Sequence, residues 1–352
     1  MGVTYMLIKK LYLELTDKCN LNCKMCYRRS WTHNFYDISE EMLFKLTDEL
    51  KTSHSDLKEI VIGGIGEPTF SKHFKKTLEL LKDYQITVTT NGTLIDEELS
   101  EYLVKYVDVV TISIDGLSDK FKEIRGTDLD LIVKNINGLN KLKNKFSSNT
   151  PLIDIQFVLS EDNLKDVFKV MDLASELGAN KFIISNIIPQ SEENKDNILY
   201  SRYENKTIRS LFDKVMLHSL HKGIKVDMPN YELKTIRRCS FIEDCSAFIC
   251  ASGDIVPCYR FSHDYTEYVF GREKHVDKFV FGNLEEDSLL NIWNNPEYSN
   301  FRQRIINGLY PSCIDCDLVD GCDYASSAKV DCYALFPSCG DCLWSRQFAT
   351  CP

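Results

Sequence analysis

Three closely spaced cysteines near the start of the chain are the residues best suited to chemistry. Cys19, Cys23 and Cys26 are separated by three and then by two residues in the segment LTDKCNLNCKMCYRR, residues 15–29. A tetrahedral zinc site or a complete iron–sulfur cluster takes four protein ligands, so three thiolates leave one position open. The spacing indicates either an iron–sulfur cluster with one open iron or a zinc site whose fourth ligand is distant in sequence.

The fourteen cysteines of the chain are clustered rather than scattered. After the first three, the next is Cys239, and the other eleven all lie between Cys239 and Cys351. In a reducing compartment such clusters indicate metal ligands, although a free cysteine is also a common buried apolar residue. We therefore expect most of the eleven to bind metal and a few to be buried in the core.

Charge and hydropathy disfavour two classes of function. The 352 residues include 42 Lys or Arg and 52 Asp or Glu, a net charge of −10, which disfavours sequence-independent binding to nucleic acid. No apolar run is long enough to span a bilayer, and the start MGVTYMLIKKLYLEL lacks the pattern of a signal peptide. We expect a cytoplasmic protein that binds neither nucleic acid nor membrane and keeps its thiols reduced.

The first two-thirds of the chain alternate β-branched runs with amphipathic helical stretches. The predicted strands are LYLELT (11–16), EIVIGG (59–64), ITVTTNG (86–92), VVTISIDG (109–116), LIDIQFVL (152–159) and KFIISNII (181–188). Helices are predicted to follow each strand; Ser39 is the expected N-cap of the first, and Gly178 ends the fifth. This alternation predicts an α/β fold with a parallel sheet, either an open partial barrel or a doubly wound sheet, because six units are too few for a complete eight-stranded barrel.

The composition of the sequence changes near Lys225. Beyond it the apolar periodicity weakens, and IKVDM (224–228) is the last candidate strand. We predict two domains, residues 1–225 and 226–352, the second an irregular cysteine-rich unit stabilised by bound metal rather than by a large core of its own.

Glycines and small polar residues follow the predicted strands one after another. GGIGEP (63–68) follows the second strand, TTNGTL (89–94) the third, and SIDG (113–116) the fourth. Each stretch alone is explained by turn chemistry, since Gly, Asn and Asp tolerate positive φ. Their order along the carboxyl edge of a parallel sheet predicts one shared site with the three-cysteine loop.

Together these features resemble the radical S-adenosylmethionine (SAM) superfamily. The resemblance implies a partial (β/α)6 TIM-like barrel, a 4Fe-4S cluster on Cys19, Cys23 and Cys26, and SAM chelated at the open iron and cleaved to a 5′-deoxyadenosyl radical. Ile65 interrupts the glycines of the family's usual Gly-Gly-Glu-Pro stretch. The SAM-binding residues implied are Gly64, Gly66, Glu67, Pro68, Asn91, Ser113, Asp115, Arg125 and Asn186.

The cysteines of the tail resemble the SPASM extension of this superfamily, which usually holds two auxiliary 4Fe-4S clusters. The resemblance implies that Cys239, Cys245, Cys258 and Cys332 hold the first auxiliary cluster, and that Cys313, Cys316, Cys322 and Cys342 hold the second. Because the cysteine after Cys322 comes later than usual, Cys339 and Cys351 are alternatives for the last ligands, and Cys250 is surplus. A pair of zinc ribbons fits the same spacing, because thiolate spacing does not separate zinc from iron–sulfur.

A closer resemblance is to the maturases of tungsten-cofactor oxidoreductases, carried by GGIGEPT, MCYRRSW, the segment 261–284 and the ending FPSCGDCLWSRQFATCP. It implies an oxidoreductase or maturase that abstracts hydrogen from a peptide, protein or pterin-cofactor substrate and takes electrons from a reductase, ferredoxin or flavodoxin. Tyr259 follows Cys258 where anaerobic sulfatase maturases have an aspartate, so sulfatase oxidation is disfavoured. The alternatives are a maturase that forms a thioether or carbon–carbon link in a ribosomally made peptide, and a non-catalytic iron–sulfur electron carrier.

Overall fold

A computed structural model describes residues 6–31 and 35–350 of the chain. The strands are β1 (Lys10–Leu13), β2 (Glu59–Ile62), β3 (Gln85–Thr90), β4 (Val109–Ser113), β5 (Leu152–Leu159), β6 (Lys181–Asn186), β7 (Lys225–Asp227), β8 (Ser246–Ile249), β9 (Asp254–Val256), β10 (Tyr265–Val269), β11 (Arg272–Val276) and β12 (Gly282–Asn283). The helices are α1 (Glu40–Ser53), α2 (Phe74–Leu80), α3 (Glu97–Tyr106), α4 (Ser118–Arg125), α5 (Leu129–Lys145), α6 (Val167–Glu176), α7 (Lys206–Lys222), α8 (Ser240–Glu243), α9 (Leu289–Asn294) and α10 (Pro296–Ile306).

One large, open sheet organises the molecule. Its strand order is β12-β9-β8-β1-β2-β3-β4-β5-β6-β7, and the run from β8 to β7 is parallel. Helices connect the successive parallel strands β1 to β7, as right-handed crossovers require. All six predicted strands are present, and the α/β class predicted from the alternation is confirmed.

The first helix shows how the sequence sets these elements. Ser39 Oγ accepts a hydrogen bond from Met42 N at 3.1 Å, which caps α1 as predicted. Met42, Leu43, Leu46 and Leu50 then fall on one buried face that packs under the sheet. The helix is therefore fixed at its start by a side-chain cap and along its length by apolar burial.

The cysteine-rich part of the chain joins the barrel instead of standing apart from it. β8 extends the sheet by pairing in parallel with β1, and β9 and β12 add antiparallel strands beyond it. Trp293, Tyr298 and Phe301 of α9 and α10 are buried in the same core cluster as the barrel helices. Apolar residues at helical spacing in residues 240–306 therefore complete the main core rather than form a large core of their own.

The C-terminal segment returns to the barrel. Thr350 N donates to Ser185 Oγ at 3.1 Å, and Asn186 Nδ2 donates to the Phe348 carbonyl at 2.9 Å. Both partners lie at the carboxyl end of β6, so the last described residues line the ligand-binding edge of the sheet.

Within the described ranges, none of the helices combines the length and hydropathy needed to traverse a bilayer.

Candidate active site

The three N-terminal thiols lie in one loop beyond the carboxyl end of β1. Cys23 is buried, and Cys19 and Cys26 are half-buried. Burial, with smaller contributions from the Cys23 and Cys19 sulfurs, raises the pKa of Cys26 to about 11. Because a buried thiolate is unfavourable without a positive partner, this donor set is suited to a cationic metal centre that would hold the sulfurs deprotonated.

These sulfurs are approached by polar groups from the end of β3 and from the end of α4. Asn91 Nδ2 lies 3.8 Å from Cys19 Sγ, and an Arg125 guanidinium nitrogen lies 3.8 Å from Cys23 Sγ. Arg125 in turn pairs with the fully buried Asp115. The structure therefore brings Asn91 and Arg125 against the cysteine loop, where both can donate to sulfur, and Asp115 holds Arg125 in place from behind.

The 63–68 loop approaches the cysteine loop through its glycines. A Cβ atom on Gly66 would lie 2.1 Å from the Thr16 carbonyl oxygen, so only glycine fits there. Gly64 has φ +120°, and a Cβ on it would lie 2.5 Å from Glu14 Oε1. Glu14, which the sequence did not single out, also accepts a hydrogen bond from Ile65 N at 2.9 Å and so fixes this loop from behind.

Glu67 and Pro68 hold the loop in place rather than facing open space. Glu67 is buried, and its carboxylate accepts from Thr90 Oγ1 and Asn91 N, each at 2.7 Å. Burial raises the pKa of Glu67, and these donors oppose that shift. Pro68 starts a short turn of helix. Both residues therefore tie the loop to the end of β3.

A cavity of about 200 Å³ opens beside the glycine loop. It is lined by Met25, Tyr27, Gly64, Ile65, Thr89, Gln156, Val158, Ser185, Asn186, Ile187, Ile188, Tyr259, Trp344, Ala349 and Thr350. Asn186 Oδ1 is buried there without a hydrogen-bond partner among the described residues. The unsatisfied amide oxygen, the glycine-backed loop and the three thiols fit a cluster-bound SAM, which has ammonium and hydroxyl donors for such an acceptor.

The lining of this cavity differs from the sequence prediction in two places. Ser113 is half-buried and is not among the lining residues, whereas Gln156, its register partner on β5, is. The sequence did contain a signal for Gln156, because this polar residue interrupts the apolar run of β5. Trp344, Ala349 and Thr350 reach the cavity only because the chain end folds back, for which the sequence has no local signal.

Four tail thiols line a second, much smaller cavity of about 20 Å³. They are Cys239, Cys258, Cys339 and Cys342. Burial and the neighbouring Cys342 sulfur raise the pKa of Cys239 to about 12, and burial likewise raises the pKa of Cys258 and Cys339. We call these four residues the first thiol group; their proximity again fits a metal centre that keeps sulfur anionic.

This grouping differs from the ligand sets that the family resemblance implies. Cys245, expected beside Cys239, is not among the residues that line this cavity; its φ is 53°, and its charged neighbours are Lys9, Arg302 and Asp244. Cys342, expected with Cys313, lies in the first thiol group instead. The reason is the Cys339–Cys342 turn, which places both of its cysteines on the same side.

Four further tail cysteines, which we call the second thiol group, are Cys313, Cys316, Cys322 and Cys332. The first three lie in one irregular loop, joined by backbone bonds such as Cys316 N to Cys313 O at 3.4 Å. Cys332 is close enough to act electrostatically on Cys313, whose pKa is raised to about 12 mainly by burial. Cys250 is buried with its sulfur toward the Ser262 carbonyl, and Cys351 lies outside the described residues.

No three His, Cys, Asp or Glu side chains in residues 6–31 and 35–350 are close enough together to hold a single metal ion.

Comparison with known families decides the class. The Radical SAM superfamily matches residues 13–200, and the SPASM iron–sulfur cluster-binding domain matches residues 239–317. The chain belongs to the radical SAM superfamily. The protein is therefore an enzyme, and membership implies SAM and iron–sulfur clusters as its cofactors.

Among curated relatives, the tungsten-containing aldehyde ferredoxin oxidoreductase cofactor-modifying protein of Pyrococcus furiosus is 36% identical over 98% of this chain and 97% of its own length. A probable GTP 3′,8-cyclase of Methanocaldococcus jannaschii is 31% identical over 62% of this chain and 72% of its own. The first similarity extends through the cysteine-rich tail, whereas the second covers a smaller part of the chain. The resemblance to tungsten-cofactor maturases is thereby confirmed.

Solved structures show the same fold. Streptococcus suis SuiB bound to its precursor peptide SuiA has a TM-score of 0.63 at 19% identity and covers 96% of this chain and 76% of its own. Native anSMEcpe with bound AdoMet has a TM-score of 0.62 at 18% identity and covers 96% of this chain and 96% of its own. At such low identity these likenesses concern the fold, a barrel with a cysteine-rich extension.

Proposed function

We propose that this radical SAM enzyme modifies the cofactor or the polypeptide of a tungsten- or molybdenum-pterin oxidoreductase by abstracting a hydrogen atom from it. The observation that carries the proposal is the 36% identity to a tungsten oxidoreductase cofactor-modifying protein over 98% of the chain. Similarity confined to the barrel would support SAM chemistry alone. Similarity through the tail also supports a shared client.

The chain's own residues have distinct roles in this proposal. Cys19, Cys23 and Cys26 hold a 4Fe-4S cluster, and Asn91 and Arg125 donate to its sulfur ligands. When bound, the cluster and SAM supply a 5′-deoxyadenosyl radical by reductive cleavage of a carbon–sulfur bond. The protein contributes ligation, orientation and exclusion of water from the cavity.

Substrate and SAM share the cavity beside the glycine loop. The backbone of Gly64 and Ile65 forms one wall, and the unsatisfied Asn186 Oδ1 offers a hydrogen-bond acceptor. Tyr259 and Trp344, contributed by the extension, form part of the lining and face the client. A radical formed there is screened from solvent on several sides, which limits quenching.

We further propose that the tail holds two auxiliary 4Fe-4S clusters, one on each thiol group. The first thiol group, Cys239, Cys258, Cys339 and Cys342, supplies four sulfurs around one cavity. The second is Cys313, Cys316, Cys322 and Cys332. A ferredoxin, flavodoxin or reductase in the cytoplasm would supply the electrons, and a reducing compartment agrees with free thiols at all described cysteines.

The proposal is tested by anaerobic reconstitution followed by incubation with SAM, a reductant and a candidate client. We expect 5′-deoxyadenosine in amounts that increase with an aldehyde oxidoreductase polypeptide or its pterin cofactor, and a mass change in the client. Cys23→Ala should abolish 5′-deoxyadenosine, and Cys250→Ala, a buried cysteine outside the three thiol sites, is the matched control.

Two outcomes would contradict the proposed function. Reduced protein that yields no 5′-deoxyadenosine would indicate an electron carrier. Modification of a short precursor peptide, with no response to the oxidoreductase or its cofactor, would indicate a peptide maturase.

A further inference from the structure

Five ionisable side chains form a buried ion network in the extension: Arg260, Glu267, Arg272, Lys274 and Asp341. An Arg260 nitrogen lies 2.6 Å from Glu267 Oε1 and 3.1 Å from Asp341 Oδ1. Arg272 and Lys274 contact Asp341 Oδ2 at 2.9 and 3.1 Å. Glu267 and Lys274 are register partners on β10 and β11, so this hairpin presents both charges on one face.

The charges within this network do not cancel. Three cations face two carboxylates, which leaves one positive charge in excess. Arg260, Glu267, Lys274 and Asp341 have side chains at most 1% exposed, and Arg272 is 17% exposed. An unbalanced charge at such depth is costly unless an anion lies nearby.

The network lies between the two thiol groups. Asp341 is in the turn between Cys339 and Cys342 of the first thiol group, and Arg260 donates to the Ser338 carbonyl at 3.1 Å next to that turn. On the other side, Gly340 contacts the second group, because a Cβ on it would lie 2.6 Å from Cys313 Sγ. Cys313 N also donates to the Gly340 carbonyl at 2.7 Å.

The cations are divided between the two sides. Arg260 follows Cys258 by two residues, and its guanidinium nitrogen lies 3.1 Å from Oδ1 of Asp341, which stands between Cys339 and Cys342 in the sequence. Lys274 and Arg272 contact Oδ2 of the same Asp341, and at Cys313 these two cations oppose the larger effect of that carboxylate. One connected set of charges therefore reaches both thiol groups, with Arg260 nearer the first and Lys274 nearer the second.

We propose that the buried ion network is the fixed counter-charge of the two auxiliary clusters and raises the reduction potential of both. A cluster held by four thiolates is anionic, and reduction adds one electron and no atom, so a nearby buried cation favours the reduced state. The excess positive charge then has its anionic partner, and electrons leaving an oxidised substrate find clusters poised to accept them.

This inference rests on the proposed function only in that the tail must carry iron–sulfur clusters. If the network served only to stabilise the fold, its packing and hydrogen bonds would be important, and the reduction potentials of the clusters would not depend on its charge. Variants that separate charge from shape therefore decide between the two.

The experiment is a redox titration, monitored by electron paramagnetic resonance, of full-length protein in which Cys19, Cys23 and Cys26 are changed to Ala. Only the auxiliary clusters then contribute to the signal. The variants added to this background are Arg260→Met, Arg260→Lys, Lys274→Met and Lys274→Arg, with Lys181→Met at the far end of β6 as the surface-charge control.

We expect both Met variants at the network to lower the auxiliary potentials, by at least a tenfold change in the reduction equilibrium, or about 59 mV for one electron. Arg260→Met should move one cluster most, and Lys274→Met the other. The charge-conserving variants and Lys181→Met should stay near the parent values.

Unchanged potentials in both Met variants with full iron content would overturn the inference, as would equal shifts in the charge-conserving variants. If the Met variants lose iron, retention by Arg260→Lys and Lys274→Arg supports a charge requirement, and loss by all four contradicts it. If the parent protein itself lacks auxiliary iron, the proposed cluster content fails, which is a separate result.

Discussion

At the scale of single residues, the candidate site depends on how closely two backbone segments approach. The thiols alone indicate a metal centre. The glycines of the 63–68 loop allow its backbone to lie close to that centre and to form one wall of the ligand-binding cavity. Gly66 lies against the carbonyl oxygens of Thr16 and Lys18, which belong to the loop that carries Cys19. The cofactors supply the reactivity, so these residues contribute by setting the distance between the 63–68 loop and the cysteine loop.

Gly66→Ala should weaken SAM binding strongly. Its Cβ would lie 2.1 Å from the Thr16 carbonyl, so the loop must shift away from the cysteines. We expect at least a tenfold increase in the dissociation constant, measured anaerobically by calorimetry on reconstituted protein. Gly138→Ala on α5, where the Cβ has open space, is the control and should bind SAM normally; equal affinity in both variants would contradict the argument.

Glu14 is predicted to position the same loop. It accepts from Ile65 N at 2.9 Å, and its other oxygen lies 3.3 Å from His263 Nε2 of the extension. Glu14→Ala should raise KM for SAM several-fold with a smaller effect on kcat, because the loop loses its anchor while the thiols stay in place. Glu14→Gln keeps an acceptor for Ile65 and should restore most of the affinity. An unchanged KM in Glu14→Ala would refute this role.

At the scale of elements, the strand–helix order and the position of the site were predictable from local signals. Six strands, the Ser39 cap and the Gly178 stop are predicted from periodicity and cap residues, and the carboxyl-edge rule predicts the place of Asn91, whereas Arg125 is implied only by the family resemblance. The parallel pairing of β8 with β1 was not predictable, because it joins residues more than 230 positions apart without any local pattern. The same applies to the return of the chain end to β6.

A carboxylate of the barrel also caps a helix of the extension. Glu49 on α1 accepts from the backbone N–H groups of Leu289 and Leu290 at the start of α9, at 3.0 and 2.8 Å. Burial alone would raise the pKa of Glu49, but His54 and these backbone donors hold it below its ordinary value of 4.5. This contact therefore stabilises the junction of the two parts in its ionised form.

Glu49→Gln should lower the free energy of unfolding by about 1–2 kcal/mol at pH 7. Because the folded-state pKa is depressed, the stabilisation is present above pH 4.5 and is lost as the pH falls through the folded pKa. Thermal unfolding of the variant and the parent should therefore differ at pH 7 and converge in acid. Asp48→Asn, exposed on the same helix, should show no comparable difference, and a pH-independent gap would exclude the ionised cap.

At the scale of the whole molecule, the extension and the barrel form one structure. They share a sheet through β1 and β8, a core through α9 and α10, and a cavity through Tyr259 and Trp344. The predicted boundary near residue 225 therefore marks a change in composition. The sheet continues across it, since β7 at 225–227 still pairs with β6. Under the proposed function, a shared cavity would let the extension select the client at the place where the radical is formed.

Long-range folding also decides how the tail thiols are grouped. The family resemblance implies Cys239, Cys245, Cys258 and Cys332 as one set, whereas in the structure Cys339 and Cys342 line the same cavity as Cys239 and Cys258. Motif spacing reports which residues are near in sequence. It does not report which of several later cysteines returns to an earlier pair.

Iron content distinguishes the two groupings. With three 4Fe-4S clusters the protein should bind about twelve irons, and loss of one cluster leaves about eight. Cys339→Ala should lose about four irons because it removes a ligand of the first thiol group, whereas Cys245→Ala, beside Lys9 and Arg302, should keep all twelve. Loss of iron from Cys245→Ala with full retention by Cys339→Ala would instead restore the ligand set that the family resemblance implies, and would show that the turn at residues 339–342 moves when the cluster binds.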